Sequence, residues 1–536
     1  MYSLLLKIKS YEANSITCAI FTTIYIALVA NFSFYENLFQ WMKAGNSSTT
    51  HITSVILVNF FLMLLLSSLL TANKSYKYIL SLVLLISSLT AYFSDSYGVV
   101  IDDLMIVNIL ETNTAEIMGL LSLKMLVYLI FLFFIPTLIL FLVGSKIESS
   151  LKRIRNHLSV IIISILAVIV LIYSSLDFYS SFIRTKKDIR FYSNPLIPIY
   201  SSTKYIKKQL TKNTEEYRNI AQDIYIHKGD EYNKITILIV GETARADHFS
   251  VNGYDRLTNP FLSKKRIVSF LNVSSCGTNT GISIPCMFSS LNQNEFTAEK
   301  AKNQDNILDI LQRGGVSVLW RENNTSSYNV ADRVLYEDFR NYPENPICDP
   351  ECRDIGMLSG LDDYIKKNHG RDILIVLHQI GSHGPEYYKR YPKEFAKYYP
   401  ICQTNQLSDC TKDEIINSYD NTILYTDFFI DKAIDFLKKY NATHKTSMIY
   451  ISDHGESLGE SNYYLHGLPM FIAPKEQRHV PFIVWLGPKH DKSLMENLES
   501  KSKKEINHDV LFHSLLSIFN ANTKAYRKES DIFSEN

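Results

Sequence analysis

Five long, apolar and uncharged stretches dominate the first third of the chain. They lie at about 15–35, 52–72, 78–94, 125–144 and 157–176. Each is close to the roughly 20 residues that a helix needs to cross the hydrocarbon core of a bilayer. Stretches such as ITSVILVNFFLMLLLSSLLTA are too uniformly apolar for amphipathic helices of a soluble domain. We therefore predict a five-helix transmembrane domain over residues 1–176, whose first span is an anchor and not a cleaved signal peptide.

The charges of the short loops orient these spans. Basic residues precede the first span and follow the second and fourth: Lys7, Lys9, Lys74, Lys77, Lys146, Lys152, Arg153 and Arg155. The alternate loops, at about 36–51 and 95–121, carry mostly neutral or acidic side chains. The positive-inside rule then predicts a cytoplasmic N-terminus. Five crossings place the remainder of the chain outside the cell membrane, in a compartment such as a bacterial periplasm if the cysteines below are oxidised.

The cysteines test this topology independently. Cys18 lies in the first span, and the other six of the seven cysteines come after residue 270. They are neighbours in sequence: Cys276 and Cys286, Cys348 and Cys352, Cys402 and Cys410. Local disulfides are the simplest prediction for an oxidising compartment, although sequence alone does not determine the connectivity. A thiolate zinc cluster is less favoured, because no C-x2-C pair is repeated.

Residues 177–230 form a polar, basic region with interleaved aromatic residues, as in FIRTKKDIRFYSNPLIPIY. A solvated linker would explain it, but the interleaving favours helices that lie on anionic lipid headgroups.

The whole chain has 55 basic and 54 acidic residues. This balance gives no electrostatic reason to expect nucleic acid as a partner.

From residue 231 to 536 the pattern changes to short apolar runs separated by turns and helical segments. The runs KITILIVGE, SVLWRENN, RDILIVLHQIG, KTSMIYISDHGE and VPFIVWLG are typical of buried strands. The segments NILDILQRGG and YDNTILYTDFFIDKAIDFLKKY are typical of helices. This alternation predicts an α/β domain with a mostly parallel sheet sandwiched by helices.

Polar residues gather at the carboxyl ends of these strands, where open α/β sheets bind their ligands. Glu242, His383, Asp453 and His454 follow strands closely, and His466 comes soon after. Carboxylates and imidazoles are ligands that suit zinc. Taken singly, an Asp-His pair is more often a turn with a hydrogen-bonded histidine. Their coincidence at several strand ends favours a metal site.

The stretch SSCGTNTGISIPCMFSS places Cys276 and Cys286 around two threonines, Thr278 and Thr280. A threonine hydroxyl is a weak nucleophile unless a base or a metal removes its proton. A disulfide across this loop would hold such a nucleophile in place, with a gain of roughly 3 kcal/mol by chain-entropy arguments. Bottom-up reasoning does not choose between the two threonines.

Four motifs carry a family resemblance: IVGETARADHFSVNGYDRLTNP, CGTNTGISIPCMFS, GSHGPEYYKRYP and SDHGESLGE with YYLHGLP. They closely resemble the phosphoethanolamine transferases of Gram-negative bacteria, which include lipid A modifiers and mobile colistin-resistance enzymes. That family belongs to the alkaline phosphatase/sulfatase superfamily. The resemblance runs through nearly the whole chain, including the five spans and the three cysteine pairs.

The resemblance implies roles for particular residues. It makes Thr280 the nucleophile. The implied zinc ligands are Glu242, Thr280, Asp453 and His454. His383 and His466 would hold the phosphoryl group or a second zinc ion. The resemblance therefore implies one tightly bound zinc ion and allows a second.

Two positions of this family pattern concern the substrate phosphate. Asn324 matches a residue beside the phosphate. Tyr328 stands where many relatives have a lysine, which puts recognition by a cation at that point in doubt. Arg333 or the metal could recognise the phosphate in place of that lysine.

A polar helix face in the transmembrane half concerns the donor lipid. Asn108, Thr112 and Glu116 stand at i, i+4 and i+8 in MIVNILETNTAEIMG. A solvated face is the simpler interpretation. The resemblance implies that this face binds the ethanolamine headgroup, with Glu116 paired to the ammonium.

These observations lead to one functional prediction. The chain is expected to be a monomeric inner-membrane enzyme that transfers phosphoethanolamine from phosphatidylethanolamine to lipid A or lipooligosaccharide, through a phosphoethanolamine-threonine intermediate. Polymyxin resistance would follow. The alternatives are a phosphoglycerol transferase, a sulfatase-like hydrolase, or a non-catalytic zinc-binding sensor of the envelope.

Overall fold

The computed structural model describes residues 10–43, 48–111, 114–186, 188–210, 216–227 and 231–535. The chain divides into two compact units. The first unit comprises residues 1–111 and 120–212, and the second comprises 112–119 and 213–536. Each unit is described below by itself.

Helices account for most of the described residues up to 210. They are α1 (Ser15–Val29), α2 (Phe32–Trp41), α3 (Thr49–Leu70), α4 (Tyr76–Tyr97), α5 (Asp103–Glu111), α6 (Thr114–Leu120), α7 (Leu123–Leu142), α8 (Ser150–Tyr173), α9 (Leu176–Thr185) and α10 (Leu196–Leu210). Within the described residues, α3, α4, α7 and α8 are each long and apolar enough to cross a membrane. Helices α1 and α2 together would make a fifth span, bent by 54°.

The first predicted span is therefore two helices, and buried amides explain the break. The side-chain amide of Asn31 donates to the carbonyls of Ile26 (3.1 Å) and Asn194 (2.8 Å). The amide of Asn194 in turn donates to the carbonyl of Ala30 (2.7 Å). The side chain of Asn194 thus satisfies the Ala30 carbonyl at the break, while the Ile26 carbonyl also accepts from the Ala30 amide at 2.9 Å. A short apolar run alone gives no sign of this break.

Helices α9 and α10 lie in the region that the sequence predicts to be a basic linker of surface helices. Both helices are real elements of the structure. Their placement on a membrane surface stays a prediction, as do the predicted boundaries at residues 176 and 230.

A seven-stranded sheet is the centre of the second unit. In chain order its strands are β1 (Lys234–Gly241), β2 (Val268–Phe270), β3 (Ser317–Glu322), β4 (Leu335–Asp338), β5 (Ile373–His378), β6 (Lys445–Ser452) and β7 (Phe482–Leu486). Their order across the sheet is β2-β7-β6-β1-β5-β3-β4. Strand β7 is antiparallel to both of its neighbours, β2 and β6, and the other described strand pairs of this sheet are parallel. The predicted mostly parallel sheet is confirmed; β2 and β4 were not predicted.

Side chains of the central strand β1 alternate between two hydrophobic cores, one on each face of the sheet. Ile235, Ile237 and Ile239 belong to one core, and Leu238 and Val240 belong to the other. The flanking helices are α11 (Thr280–Met287), α12 (Ala298–Lys302), α13 (Ile307–Arg313), α14 (Leu361–Lys367), α15 (Lys412–Lys438), α16 (Lys492–Lys501) and α17 (Val510–Ile518). Because both faces are covered, the middle parts of the central strands are mainly apolar.

Candidate active site

The register of two parallel strands brings the first candidate ligands together. Gly241 at the end of β1 pairs with Ser452 at the end of β6. Glu242 and Asp453 follow directly, so both carboxylates leave the sheet at the same edge. His454 comes next in the chain, and all three side chains are fully buried.

These three side chains form a compact group of metal-ligand types. His454 Nε2 lies 3.4 Å from Glu242 Oε1 and 3.2 Å from Asp453 Oδ2. Among the described residues, both of those carboxylate oxygens are buried without a hydrogen-bond partner. Orphaned buried oxygens are costly, and they require a cation or another partner. The donor set of two carboxylates and one imidazole fits zinc.

The electrostatics of the group support the same interpretation. Burial, followed by the charge of Asp453, raises the pKa of Glu242 well above its usual range. Burial raises the pKa of Asp453 to about 6. Burial lowers the pKa of His454 well below its usual value. A bound divalent cation would offset the repulsion between the carboxylates and favour their charged forms.

Glu242 also belongs to a second group of possible metal ligands, together with two more histidines. Ligand atoms of Glu242, His383 and His466 lie within 4.8 Å of one another. The Nδ1 atoms of His383 and His454 lie 2.8 and 2.9 Å from the carbonyls of Gly384 and Gly455.

The Nδ1 atom of His466 lies 2.7 Å from Glu456 Oε2. An acceptor at Nδ1 places the proton there in each of the three rings, so Nε2 is the basic nitrogen of the neutral form. The centre therefore has three imidazoles of one tautomer.

Thr280 enters this centre at the start of a helix. It is the first residue of α11, and the side chain of Asn279 caps the helix by accepting from the Ile282 amide. Thr280 Oγ1 lies 3.2 Å from Glu242 Oε2 and 3.3 Å from His454 Nε2. The hydroxyl therefore faces the metal-ligand atoms, and the positive end of the helix lies beside it.

Thr278 has a different role in the same loop. Its hydroxyl donates to the carbonyl of Leu468 at 2.6 Å.

A disulfide joins Cys276, just before the loop, to Cys286 in α11. Further disulfides join Cys348 to Cys352 and Cys402 to Cys410.

A buried chain of polar side chains extends the site toward β3. The amide of Asn324 donates to Glu242 Oε2 at 2.5 Å and approaches His378 Nε2 at 3.3 Å. His378 Nδ1 lies 2.8 Å from Glu322 Oε1. Burial acts to lower the pKa of His378, but the charge of Glu322 outweighs it and raises that pKa.

Sequence reasoning missed Glu322, His378 and Glu456. Glu322 and His378 are the last residues of β3 and β5, so the same strand-end rule that selected Glu242 could have found them. Glu456 lies three residues after Asp453, and only its contact with His466 reveals its place. Tyr387 also donates to Glu456, at 2.7 Å.

The other residues predicted at the substrate phosphate, Tyr328 and Arg333, have partners of their own. The hydroxyl of Tyr328 lies 3.3 Å from Thr325 Oγ1, and its ring packs against one hydrophobic core. Arg333 is paired with Asp309 through hydrogen bonds of 2.9 Å from Nε and 2.6 Å from Nη2.

The predicted donor-lipid face is described only in part. Asn108 is a partly buried residue of α5. Thr112 and the side chain of Glu116 lie outside the described residues. Their role in lipid binding stays a prediction.

Two protein-family models match the chain. Residues 234–521 match a model described as sulfatase. Residues 59–210 match a model described as phosphoethanolamine transferase EptA/EptB. The two matches fall on the α/β part and on the apolar part of the chain.

Individual relatives match over nearly the full length. Phosphatidylethanolamine transferase Mcr-1 of Escherichia coli is 39% identical, over 92% of this chain and 93% of its own. Phosphoethanolamine transferase EptA of Escherichia coli K12 is 36% identical, over 98% and 97%. The structure of lipooligosaccharide phosphoethanolamine transferase A from Neisseria meningitidis is similar with a TM-score of 0.92, at 31% identity, over 97% of this chain and 98% of that one.

Proposed function

Because this chain belongs to the phosphoethanolamine transferase family, we propose that it transfers phosphoethanolamine from phosphatidylethanolamine to the lipid A part of lipopolysaccharide or lipooligosaccharide. The relatives' names supply the donor and the acceptor class. The observation that carries the proposal is the position of Thr280 Oγ1, within 3.3 Å of both Glu242 and His454. A hydroxyl in such a place can act as a nucleophile toward a phosphodiester.

Zinc is the metal that we propose for the centre. Glu242, Asp453 and His454, together with Thr280 Oγ1, would hold one ion, since their donor atoms converge and two of the carboxylate oxygens have no hydrogen-bond partner in the described part of the chain. When bound, zinc would favour the deprotonated form of the Thr280 hydroxyl and neutralise charge on the phosphate. His383 and His466 would hold the phosphoryl oxygens or a second ion.

The transfer needs two displacements at phosphorus. Thr280 Oγ1 gives up its proton and forms a bond to phosphorus while the bond to the diacylglycerol oxygen breaks, and that oxygen takes up a proton. The acceptor phosphate oxygen of lipid A then loses its proton and bonds to phosphorus, the bond to Thr280 breaks, and Thr280 Oγ1 regains a proton. The products are diacylglycerol and phosphoethanolamine-modified lipid A.

The surrounding side chains have positioning and proton-transfer roles in this proposal. The Nδ1–Glu456 contact sets the orientation of His466, whose basic Nε2 can first take up a proton and then donate it to the leaving oxygen. Asn324 sets the orientation of Glu242 and contributes a donor beside the phosphate. Charge spread over the phosphoryl oxygens makes positioning and electrostatics the main sources of rate.

The chain is a multi-pass membrane protein, and we propose that its N-terminus is cytoplasmic and its α/β domain periplasmic. The basic residues before the first span and the three disulfides support this orientation. Asn108, Thr112 and Glu116 would bind the ethanolamine headgroup of the donor. The protein would act as a monomer.

Polymyxin resistance follows from the charge of the product. Each transferred group adds an ammonium beside a phosphate of lipid A. Cationic antimicrobial peptides bind that phosphate by charge, so a neighbouring cation weakens their attraction.

The test uses the full-length protein in detergent with phosphatidylethanolamine labelled in its ethanolamine and with purified lipid A. We expect labelled lipid A and an equal amount of diacylglycerol. Transfer of phosphoglycerol from phosphatidylglycerol would favour the alternative transferase. Release of free phosphoethanolamine without lipid A product would favour a hydrolase, and no turnover with retained zinc would favour a sensor.

A further inference from the structure

Thr243, which directly follows the candidate metal ligand Glu242, has an unusual backbone conformation. Its φ is +52°, in the left-handed region. Branching at Cβ makes this region unfavourable for threonine, so the conformation is an outlier. Such residues persist only where the surrounding structure determines their geometry, and they cluster at functional sites.

The hydroxyl of Tyr419 holds this conformation from the long helix α15. It donates to the carbonyl of Thr243 at 2.6 Å and accepts from the amide of Arg245 at 2.9 Å. One buried hydroxyl therefore spans the turn from both ends. Tyr419 is fully buried, and its ring packs edge-on against Tyr387 and His248.

The same turn also orients the second candidate carboxylate. The amide of Thr243 donates to Asp453 Oδ1 at 3.2 Å, while Oδ2 of that carboxylate faces His454. The amide of Ala244 donates to Ser452 Oγ at 2.9 Å. The backbone conformation of Thr243 thus sets the direction of Glu242 and restrains Asp453.

Close packing leaves the turn little freedom on its other side. A Cβ atom on Gly381 would lie only 2.8 Å from the carbonyl oxygen of Glu242, so the two backbones are in contact. The hydroxyl of Thr243 contributes nothing comparable, because within the described chain Thr243 Oγ1 is buried without a hydrogen-bond partner. The backbone of Thr243, rather than its side chain, is what the site uses.

We propose that Tyr419 is a positioning residue for the metal centre, whose hydroxyl keeps Thr243 in the left-handed conformation and thereby directs Glu242 and Asp453 toward the ion. This inference rests on the proposed function, in which both carboxylates are metal ligands. The described hydrogen bonds of the Tyr419 hydroxyl go to the backbone of Thr243 and Arg245 and not to the metal-ligand atoms. Its effect passes through the backbone of Thr243.

The test is a double-mutant cycle with Tyr419→Phe and Thr243→Gly in the full-length protein. Glycine adopts positive φ without strain, so the hydroxyl of Tyr419 should matter less when residue 243 is glycine. The readouts are the zinc dissociation constant, from competition with a chelator, and kcat for lipid A modification. Tyr440→Phe is the matched control, since it removes a hydroxyl bonded to Asp362 at the surface.

We expect Tyr419→Phe to weaken zinc binding and lower kcat by roughly tenfold in the wild-type background. With Thr243→Gly present, the same change should cost no more than about threefold. Tyr440→Phe should change neither quantity by more than about twofold. This pattern would support the proposal.

Equal losses from Tyr419→Phe in both backgrounds would overturn the inference, as would a Tyr419→Phe protein with unchanged zinc affinity. If Tyr419→Phe alone does not fold, recovery of folded protein by added Thr243→Gly supports the inference, and failure to recover overturns it. A wild-type protein that binds zinc but modifies no lipid would count against the proposed function instead. The zinc measurement would still decide the role of Tyr419.

Discussion

The imidazole of His508 connects the nucleophile loop to the strand that leads to Asp453. Its Nδ1 accepts from the amide of Cys276 at 3.2 Å, and its Nε2 donates to the carbonyl of Ser452 at 3.0 Å. The short parallel pairing of Asn272–Ser274 with Glu505–Asn507 brings the ring to this position. His508 is fully buried and must be neutral to make both bonds.

Acid should therefore destabilise the fold through His508. Burial lowers its pKa from 6.5 to about 4. Because the unfolded chain binds the proton more readily, the stabilising contribution is complete above pH 6.5 and is lost as the pH falls toward 4. The loss corresponds to about 3 kcal/mol.

The measurement is the thermal midpoint of the full-length protein against pH, for the wild type and for His508→Asn. Asparagine can accept from Cys276 but does not titrate, so its midpoint should depend less on pH between 6.5 and 4. Other titrating groups are common to both proteins. Parallel pH profiles would rule out this role for His508.

Thr280→Ala should abolish transfer while the protein stays folded, since the change removes the hydroxyl that faces Glu242 and His454 and, besides it, only one methyl group. Thr278→Ala should retain substantial activity and lose about 1 kcal/mol of stability, because its hydroxyl bonds to the Leu468 carbonyl. Lipid A mass spectra and thermal midpoints check both variants. The reverse pattern of activities would make Thr278 the nucleophile.

Glu456→Gln should lower kcat about ten- to a hundredfold, the usual effect of changing a residue that orients a metal-site histidine. Glutamine keeps the size of the side chain but removes the charge beside His466 Nδ1 and Tyr387. The matched control is Glu337→Gln, which loses an ion pair of 2.7 Å with Arg321. Neither of these two residues is a candidate ligand. Full activity of Glu456→Gln would remove Glu456 from the proposed mechanism.

Glu116→Gln should reduce transfer from phosphatidylethanolamine about ten- to a hundredfold. The change removes a charge-assisted hydrogen bond to the ammonium worth roughly 1.5–3 kcal/mol. Zinc content and hydrolysis of a small soluble phosphoethanolamine ester should be unchanged. If membranes with wild type and Glu116→Gln modify lipid A equally, the face with Asn108 is only a solvated surface.

Non-reducing peptide mapping should be done on protein whose α/β domain was exported to an oxidising compartment. It should recover three local crosslinks, Cys276–Cys286, Cys348–Cys352 and Cys402–Cys410. Replacing Cys276 and Cys286 by serine should cost roughly 3 kcal/mol, because the nucleophile loop is then free in the unfolded chain. Free thiols throughout, or long-range pairs, would contradict both the pairing and the proposed topology.

Elements with a strong local signal were predictable from the sequence. Uninterrupted apolar runs predicted the long helices α3, α4, α7 and α8, because a bilayer requires that length of apolar surface. Buried runs such as those of β1 and β6 predicted a parallel sheet. The weakly apolar edge strands β2 and β4 were missed, since pairing with neighbours, rather than composition, forms them.

The candidate ligands were also predictable, because Glu242, Asp453 and His454 directly follow buried strands. Chain position alone did not distinguish Thr280 from Thr278; only the family resemblance did. In the structure, the start of α11 turns Thr280 toward the ligand atoms and leaves Thr278 bonded to Leu468. The two hydroxyls face different partners because Thr280 begins the helix and Thr278 lies in the loop before it.

The sequence by itself determined the chemical groups of this protein, namely the apolar spans, the strand-end carboxylates and imidazoles, and the paired cysteines. Only the tertiary structure decided how those groups are directed. Glu456 orients His466, His508 joins Cys276 to Ser452, and Tyr419 holds the strained turn at Thr243. The contacts of His508 and Tyr419 join residues far apart in the chain, and that of Glu456 with His466 depends on how the segment between them folds back, so no local pattern encodes them.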